Sequence, residues 1–560
     1  MERTYWYKDA VFYQIWPRSF KDSDGDGVGD LMGVYEKLDY IKSLHVDAIW
    51  FSPLYPSPNA DYGYDVMDYM DISGEYGGME AFKKVLDGAH QRGMRVIMDL
   101  VVNHTSDEHP WFQASRRREE PYTDYYIWRK PKRDGTLPNN WDSMFEGKAW
   151  QYDEERKEYY LHLFAIKQAD LNMDNPRVRD EVKKIMRFWL DMGVDGFRED
   201  VITFISKDKD LPNGFFLMPA AKGITHYSNG PHLHEYLMEF RDVLDQYDCV
   251  TIGEAPLVTA RRALQFIGGK RPELDMMIPF QCMEGDCILI DYVHHPFSLL
   301  KLKHIWRHWQ DALRGRGWNF LYLENHDHPR IISRYGSEKY RVESGKSLAA
   351  SYLFQQGTPI IYQGQEIGMT NIRLKSIDMY EDVQTINNYH SFRANQPEQK
   401  RMERIWQATR ESARTPMQWD DSENAGFTEG KPWFYVNPNY PEINVAAQED
   451  DPESLLNFYR RAAELRSTLP VVRYGTFKMY YPLSRKLFVY ERRSKAQRLL
   501  VICSYSPDPV KFRAPRGYDL KKGQLILRSH GDKVENNGFV TRPYETRVYL
   551  FQDRRGPVEV

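Results

Sequence analysis

The stretch Gly-Phe-Arg-Glu-Asp-Val (residues 196–201) decides the fold, because an apolar strand-like run ends here in a carboxylate, Asp200. Two later stretches repeat the pattern: Thr-Ile-Gly-Glu-Ala contains Glu254, and Glu-Asn-His-Asp-His-Pro-Arg contains Asp327. Loop or helix signals follow each of them. Carboxylates at the ends of successive parallel strands meet on one face of a barrel. The three motifs therefore predict one shared acidic site.

Eight apolar runs of strand length alternate with amphipathic, helix-length segments in the first 370 residues. Strand-then-helix repetition predicts parallel βαβ units, and eight of them predict an α/β fold of the (β/α)8 TIM barrel type. A doubly wound open sheet is the alternative, but the sequence has no Gly-x-Gly-x-x-Gly turn to support it. The predicted strands lie at 10–17, 46–53, 95–102, 194–200, 249–254, 274–280, 318–325 and 358–363.

Changes in composition divide the chain into three predicted domains. An inserted subdomain after strand 3, residues 105–173, is rich in Trp, Tyr, Pro and charged residues. Short β-rich runs separated by turn signals predict a C-terminal all-β sandwich at 476–560. The catalytic barrel then comprises residues 1–104 and 174–475. We expect the insertion and the polar segment at 366–415 to lie over the catalytic face.

The overall composition excludes several classes of partner. The 560 residues carry a net charge of −4, so the chain lacks the overall basic field that nucleic acid or membrane surfaces attract. Aromatic residues make up 14%, which suits both a large core and stacking on sugar rings. The N-terminus lacks the apolar region of a signal peptide, and no apolar run is long enough to span a membrane. We therefore predict a cytoplasmic protein.

Four cysteines are too few for a disulfide scaffold in a chain of this length. We predict that all four are reduced: Cys249, Cys282, Cys287 and Cys503. Four residues separate Cys282 from Cys287, but no second cysteine pair completes a zinc site.

Side-chain alternation along the fourth strand places Arg198 and Asp200 on one face. A guanidinium there is expected to lower the pKa of Asp200 and to keep it ionised, as a nucleophile requires. The equally weighted alternative is a structural ion pair in the barrel. A proton donor instead needs a raised pKa, which burial and a second carboxylate would give Glu254. His104 and His326 also stand at predicted strand ends.

An early glycine-rich loop carries carboxylates on alternate residues. This spacing predicts a loop that wraps its oxygens around one hard cation, with Ca²⁺ favoured and Mg²⁺ left open. The loop has no catalytic partner, so the ion would be structural. The rival interpretation is a solvated acidic turn. The predicted ligands are Asp22, Asp24, Asp26, Asp30 and the carbonyl oxygen of Val28.

Together the motifs resemble the α-amylase superfamily, glycoside hydrolase family 13, and within it the oligo-1,6-glucosidase and α-glucosidase branch. The resemblance covers nearly the whole chain. It includes Tyr-Gln-Ile-Trp-Pro-Arg-Ser-Phe at 13–20, Gln-Ala-Asp-Leu-Asn at 168–172 and Ala-Arg-Thr-Pro-Met-Gln-Trp at 413–419. It implies hydrolysis of small oligosaccharides without an organic cofactor, by a monomer or a weak homo-oligomer.

The resemblance also implies a role for each site residue. Asp200 would be the nucleophile, Glu254 the acid and base, and Asp327 the group that binds the 2- and 3-hydroxyls of glucose. Asp61 and Arg410 would close the far end of the pocket, which favours removal of one terminal glucose. The residues that would line the glucose pocket are Asp61, Tyr64, His104, Phe164, Arg198, His326 and Arg410.

Linkage preference follows from Val201, since α-1,6-specific members of the branch tend to carry Val directly after the nucleophile. We therefore predict cleavage of terminal α-1,6-linked glucose, and also of α-1,4-linked glucose, from isomaltose and panose. Three positions depart from the branch: Glu199 replaces Met, Pro256 replaces Asn and His328 replaces Gln. Alternation turns Glu199 towards the helix layer, where we expect a partner or solvent contact.

Three other functions stay open. A sucrose-active α-glucosidase or transglucosidase is poorly separated from a hydrolase, although the Arg-rich signature of sucrose isomerases is absent. A trehalose-6-phosphate hydrolase would need a basic cluster, for which 261–262 and 270–271 are candidates. An inactive family-13 scaffold is disfavoured because all three carboxylates are present.

Overall fold

The computed structural model describes residues 4–145, 147–218, 221–288, 290–391, 395–530, 534 and 537–553. Its strands, in chain order, are β1 (Phe12–Ile15), β2 (Ala48–Phe51), β3 (Arg95–Leu100), β4 (His104–Ser106), β5 (Trp128–Arg129), β6 (Trp150–Asp153), β7 (Glu158–Leu161), β8 (Gln168–Asp170), β9 (Gly196–Glu199), β10 (Val250–Ala255), β11 (Met276–Pro279), β12 (Cys287–Ile288), β13 (Ile290–His294), β14 (Phe320–Leu321), β15 (Thr358–Tyr362), β16 (Thr476–Tyr480), β17 (Leu487–Arg493), β18 (Gln497–Ser504), β19 (Lys511–Arg513), β20 (Gln524–Arg528), β21 (Gly538–Val540) and β22 (Thr546–Gln552).

The α-helices of the described chain are α1 (Leu31–Glu36), α2 (Leu38–Ser43), α3 (Gly78–Gln91), α4 (Pro110–Arg116), α5 (Pro176–Met192), α6 (Ile224–Tyr227), α7 (Leu233–Leu244), α8 (Ala260–Ile267), α9 (Leu299–Leu313), α10 (Ile331–Arg334), α11 (Arg341–Leu353), α12 (Val383–Ser391), α13 (Glu398–Ala408), α14 (Ala446–Glu449), α15 (Leu455–Thr468) and α16 (Pro470–Tyr474).

Eight parallel strands form the central barrel, in the order β11-β10-β9-β3-β2-β1-β15-β14. The two end strands, β11 and β14, lie beside each other and nearly close it. Strands β2 and β15 are buried throughout. Burial on both faces explains why such strands have continuous apolar sequences. Of the eight barrel strands, seven lie within the predicted runs and β10 extends one residue beyond its run, to Ala255, so the (β/α)8 prediction is confirmed.

The helices around the barrel follow ordinary capping rules, as α5 shows. Asn175 caps its first turn by accepting a hydrogen bond from the N–H of Arg177, and Pro176 occupies the first helical position, where it costs no hydrogen bond. Gly193 ends the helix in a left-handed conformation, which glycine adopts without steric cost. The buried face, including Trp189, packs on the barrel and fixes the approach to β9.

The segment between β3 and α5 carries two small sheets outside the barrel. Strands β4 and β8 pair antiparallel, and β5, β7 and β6 form a three-stranded sheet. A second apolar cluster lies here and includes Trp141, Leu163, Phe204 and Val201. Since Val201 follows β9, this cluster joins the insertion to the catalytic end of the barrel.

The C-terminal part is an all-β unit. Its main sheet is antiparallel, in the order β16-β17-β18-β22-β20, and a two-stranded sheet of β19 and β21 accompanies it. An apolar cluster that includes Leu487, Ile502, Phe512 and Phe539 fills the space between the two sheets, as in a sandwich. The hydroxyl of Tyr490 on β17 donates to the carbonyl oxygen of Ala350 on α11 at 2.7 Å and so ties the unit to the barrel helices.

All four cysteines are free thiols. No helix in the described ranges has both the length and the apolar character needed to cross a bilayer. The exact domain boundaries given above remain predictions.

Candidate active site

A pocket of about 760 Å³ opens at the carboxyl ends of the barrel strands, where the three motif carboxylates meet. It lies between the barrel and the loops after β3, β9 and β15. Its walls are formed by Asp61, Tyr64, His104, Met144, Phe145, Phe164, Gln168, Asp200, Val201, Phe204, Glu254, Pro256, Phe280, Asp327, His328, Gln384 and Arg410.

Arg198 is the cation at the floor of this pocket and is 1% exposed. Its Nη1 donates to Asp200 Oδ1 at 2.6 Å and to Asp99 Oδ1 at 2.8 Å. Its Nη2 lies 2.8 Å from Glu254 Oε1. One guanidinium therefore serves three buried carboxylates, and full ionisation would leave a net charge of −2 out of water. Such a cluster retains a proton because charge repulsion and desolvation both favour the neutral acid.

The pKa values follow this imbalance. Burial raises the pKa of Asp200 well above its usual range, and Glu254 and Asp99 add to the rise although Arg198 opposes it. The expectation that Arg198 would leave Asp200 with a lowered pKa is therefore wrong in net direction. Burial also raises the pKa of Glu254, the direction that a proton donor needs, and raises that of Asp99 to about 6.

Val201 links the two catalytic strands through its backbone. Its N–H donates to Glu254 Oε2 at 2.9 Å and thereby fixes the orientation of that carboxylate towards Asp200. The backbone of Val201 is left-handed, with φ 33° and ψ 40°, which is costly for a β-branched residue. Strain of this kind is held by its surroundings and is concentrated at functional sites.

Asp327 is the most accessible of the three carboxylates, with a side chain that is 25% exposed. Its Oδ1 lies 3.3 Å from Arg410 Nη1 and 3.1 Å from Arg414 Nη2, and its Oδ2 lies 3.0 Å from His326 Nε2. Burial would raise the pKa of Asp327, but the imidazole contact and the two guanidinium groups outweigh it and hold that pKa well below its usual value. Asp327 is therefore ionised.

His326 and Tyr64 support Asp327 from below. Their rings stack with centroids 5.3 Å apart, and the Tyr64 hydroxyl lies 2.7 Å from His326 Nε2. Gln14 Nε2 lies 2.8 Å from His326 Nδ1, so this amide donates and the ring proton sits on Nε2, facing Asp327. Burial lowers the pKa of His326 to about 4, which keeps the ring neutral.

Two residues predicted to line the pocket lie beneath its surface instead. Arg198 and His326 are each 1% exposed and act on ligand-facing groups rather than on the space itself. His104 and Phe164 do reach the pocket, with ring centroids 5.1 Å apart. Burial lowers the pKa of His104 to about 4, so it too is a neutral hydrogen-bonding group.

An ion-pair network around Asp61 and Arg410 forms part of the pocket wall. Arg410 Nη2 lies 2.8 Å from Asp61 Oδ1 and 2.6 Å from Asp382 Oδ1, and Gln168 Nε2 donates to Asp61 at 3.1 Å. The choice between Arg410 and Arg414 falls to Arg410, since it lines the pocket while Arg414 stands behind Asp327.

The side beyond Glu254 has a different character. Val201, Pro256 and Phe280 give it an apolar wall, and His328 and Gln384 supply its polar groups. The rings of His328 and Phe280 meet edge to face, with centroids 5.7 Å apart. Pro256 and His328 are two of the positions at which the sequence departs from the pattern of the branch that it resembles. The sequence did not indicate that Phe280 and Gln384 line the pocket. Both lie on segments that are far along the chain from Glu254 and Val201.

The early acidic loop brings three of its carboxylates together. Oxygens of Asp22, Asp24 and Asp30 lie within 4.8 Å of one another. Asp26 lies outside this group and accepts from the N–H of Val28 at 2.7 Å. Burial raises the pKa of Asp26, and the neighbouring Asp24, Asp22 and Asp30 add to the rise. Backbone N–H groups and the Thr428 hydroxyl already donate to Asp22 and lower its pKa in spite of burial, so the neighbours' share of the rise at Asp26 is the sign of like-charge repulsion in the loop.

Glu199 points away from the pocket and is 1% exposed. One carboxylate oxygen accepts from the Thr251 hydroxyl, so the expected partner is present. The other oxygen is buried without a hydrogen bond. Burial raises the pKa of Glu199 to about 7, with Asp275 adding to the rise and Thr251 and Arg241 opposing it.

This carboxyl should make stability depend on pH. Because the folded pKa lies above the unfolded one, the folded state holds the proton more tightly, and this contribution is lost as the pH rises from about 4.5 to about 7. Between pH 4.5 and pH 8, the unfolding free energy of the parent should fall by about 3 kcal/mol more than that of Glu199→Gln, whose side chain cannot titrate. Urea unfolding at both pH values measures it. Equal losses in parent and variant would contradict the prediction.

The barrel, the strand-end carboxylates and the pocket that they line together define a (β/α)8-barrel glycoside hydrolase. A family model described as the catalytic domain of alpha amylase matches residues 14–475. The chain therefore belongs to the alpha-amylase family of glycoside hydrolases.

Similar proteins fall into several specificities. An oligo-1,6-glucosidase of Parageobacillus thermoglucosidasius is 49% identical over 98% of this chain and 99% of its own. The structure of a trehalose-6-phosphate hydrolase from Bacillus licheniformis is 41% identical, with a TM-score of 0.92 over 98% of this chain and 100% of that one. The structure of the trehalulose synthase MutB from Pseudomonas mesoacidophila MX-45 is 39% identical, with a TM-score of 0.92 over 97% and 99%.

Proposed function

We propose that this chain is an exo-acting, retaining α-glucosidase that hydrolyses terminal α-1,6-linked glucose, and also α-1,4-linked glucose, from short oligosaccharides such as isomaltose and panose. The observation that carries the proposal is the ion-pair network in the pocket wall. We take the pairs of Arg410 with Asp61 and Asp382 to block extension of the pocket on that side, so that a single terminal glucose would fit between this network and the catalytic carboxylates. Several relatives that match over their whole length are oligo-1,6-glucosidases.

The proposed reaction has two steps, and each carboxylate has its own role in them. In the reacting state the proton retained by the Arg198 cluster lies on Glu254, and Asp200 is ionised. Asp200 attacks the anomeric carbon of the terminal glucose while Glu254 gives its proton to the departing glycosidic oxygen. Glu254, now ionised, takes a proton from water, which attacks the anomeric carbon, releases Asp200 and yields α-glucose. Asp327 holds the 2- and 3-hydroxyls and stabilises the positive charge that develops on the ring. Its ionised state suits that role.

The acceptor side supports a neutral leaving sugar. Among the described residues that line it, none is a lysine or an arginine. The one lining cation, Arg410, is at the other end and is engaged by Asp61, Asp327 and Asp382. A phosphorylated acceptor needs a cationic partner, so hydrolysis of trehalose 6-phosphate is disfavoured.

Val201 is proposed to set the linkage preference. Its side chain lies at the junction of the glucose and acceptor sides, and replacing it with alanine removes two methyl groups from that wall. We expect Val201→Ala to lower the ratio of kcat/KM for isomaltose to that for maltose by about tenfold, the usual effect of small changes in an apolar contact. Glucose release from isomaltose, panose, maltose, sucrose and trehalose 6-phosphate measures it. An unchanged ratio would assign the preference to the loops instead.

We further propose that the loop holding Asp22, Asp24 and Asp30 binds Ca²⁺, or Mg²⁺, as a structural ion. Oxygen ligands on a glycine-rich loop are those that these cations prefer. Asp26 and the Val28 carbonyl, the other two predicted ligands, would have to turn towards these three carboxylates when the ion binds. The cation would supply no chemistry, because the loop lies apart from the pocket lining.

Binding of that ion should stabilise the fold. At a free concentration of 100 times Kd, an ion that binds only the folded state adds about 2.7 kcal/mol. We expect Tm to fall on chelation with EDTA and to recover with Ca²⁺, and we expect Asp22→Asn to lose most of this response. A Tm that does not change with either treatment would exclude the site.

We also propose a cytoplasmic location, which the four free thiols support. We propose that the protein is a monomer or associates weakly.

A further inference from the structure

A hairpin on the catalytic face gathers three metal-ligating side chains that the proposed reaction does not use. It consists of β12 and β13 and follows β11. Cys287 and His294 are cross-strand partners in it, and Asp286 precedes the hairpin directly. The Cys287 Sγ lies 3.8 Å from both His294 Nδ1 and Asp286 Oδ1, and His294 Nδ1 lies 3.1 Å from Asp286 Oδ2.

These separations are within a few tenths of an ångström of those between donors around one tetrahedral ion, although Asp286 now presents Oδ1 to the sulfur and Oδ2 to the imidazole. Bonds of roughly 2.0 Å to nitrogen or oxygen and 2.3 Å to sulfur at tetrahedral angles place donor atoms roughly 3.3–3.6 Å apart. Thiolate, imidazole and carboxylate are also the donor types that Zn²⁺ takes. Such a site does not require a second pair of cysteines, because His294 and Asp286 supply the other two donors. We propose that Asp286, Cys287 and His294 form a binding site for a zinc-like divalent cation.

A cationic side chain contacts two of these donors. Arg334 Nη2 lies 2.5 Å from Asp286 Oδ1 and 3.4 Å from Cys287 Sγ, and its Nε lies 3.2 Å from Asp286 Oδ2. Two of the three donors therefore already converge on a guanidinium nitrogen. Metal binding displaces that contact and takes the proton from the Cys287 thiol, so affinity rises with pH.

Displacing Arg334 connects the site to the pocket. Arg334 is the last residue of α10, and α10 follows the loop that carries Asp327 and His328. The hairpin follows β11 and Phe280, which lines the acceptor side. The Arg334 contacts thus hold two pocket-forming loops together. Zn²⁺ binding is expected to slow glucose release by loosening that connection.

The test uses the whole protein saturated with Ca²⁺, so that the acidic loop is already filled. Equilibrium dialysis of this protein against Zn²⁺ is expected to show one bound equivalent of Zn²⁺. The variants Cys287→Ser and His294→Asn should both fail to bind it. Co²⁺ in place of Zn²⁺ is expected to give a thiolate-to-cobalt charge-transfer absorption that Cys287→Ser abolishes. Glucose release is expected to fall at least twofold on Zn²⁺ saturation in the parent and to stay unchanged in Cys287→Ser.

Two matched controls separate this site from others. Cys282→Ser removes a nearby thiol that is buried and bonded to carbonyl oxygens, and should leave zinc binding intact. His304→Asn breaks the exposed pair of His304 and His308 on α9, a second place where zinc could bind, and should also leave it intact. Binding that survives both Cys287→Ser and His294→Asn, or that is absent in the parent, would overturn the proposal. Because dialysis measures binding directly, its outcome does not depend on the proposed glucosidase activity.

Discussion

Replacing Asp200 with asparagine is expected to lower kcat for isomaltose by about 10⁴-fold or more, the size of effect seen when one essential member of a catalytic group is removed. Asparagine has nearly the same shape and can still face Arg198, but its amide is not a nucleophile towards the anomeric carbon. No glucosyl-enzyme then forms. Steady-state glucose release measures the loss, and circular dichroism and Tm show whether the variant is folded.

The neighbouring carboxylate provides the matched control. Asp99→Asn changes a group that binds the same guanidinium at 2.8 Å but lies outside the pocket lining. The decrease in kcat should therefore be much smaller for Asp99→Asn than for Asp200→Asn. A decrease of less than about tenfold in a folded Asp200→Asn variant would exclude Asp200 as the nucleophile. Equal losses in both variants would mean that the Arg198 cluster, and not the nucleophile, limits the rate.

Replacing Glu254 with glutamine is expected to slow isomaltose hydrolysis by about 10²–10⁴-fold, the usual contribution of a general acid or base. Glutamine can still accept from the N–H of Val201, so the strand junction should survive. A substrate with an excellent leaving group, p-nitrophenyl α-glucoside, needs no proton in the first step and should form the intermediate faster than isomaltose does. Rapid-mixing kinetics of p-nitrophenol release measure that step.

Azide gives an independent check on Glu254. It attacks the glucosyl-enzyme without a general base, so it should restore turnover of p-nitrophenyl α-glucoside by Glu254→Gln and yield α-glucosyl azide. Parent enzyme should gain nothing from azide. A Glu254→Gln variant that loses equal activity on both substrates and does not respond to azide would assign the residue a structural role.

Much of the fold follows from local sequence signals. The eight barrel strands are short, buried on both faces and rich in apolar residues, so their runs stand out against the amphipathic helices between them. Strand alternation also placed Glu199 correctly, with its side chain directed away from the pocket and against Thr251. These inferences succeed because they depend on nearest neighbours along the chain.

Electrostatics and distant contacts were harder to infer. The net pKa direction of Asp200 depends on Asp99 and on complete burial, and neither is visible in the dipeptide spacing of Arg198 and Asp200. Asp382, which pairs with Arg410, lies in a polar loop with no distinguishing pattern. Asp99 did have a signal, since it stands near the end of the third strand beside His104, but only the histidine was singled out.

The most direct test of the central claim is the stereochemistry of the first product. Proton NMR during hydrolysis of p-nitrophenyl α-glucoside resolves the anomeric signals of glucose before mutarotation mixes them. A double displacement through Asp200 predicts that α-glucose appears first and that its β anomer follows at the rate of mutarotation. Initial release of β-glucose would contradict the account, because it would require direct attack by water and leave Asp200 without its proposed role.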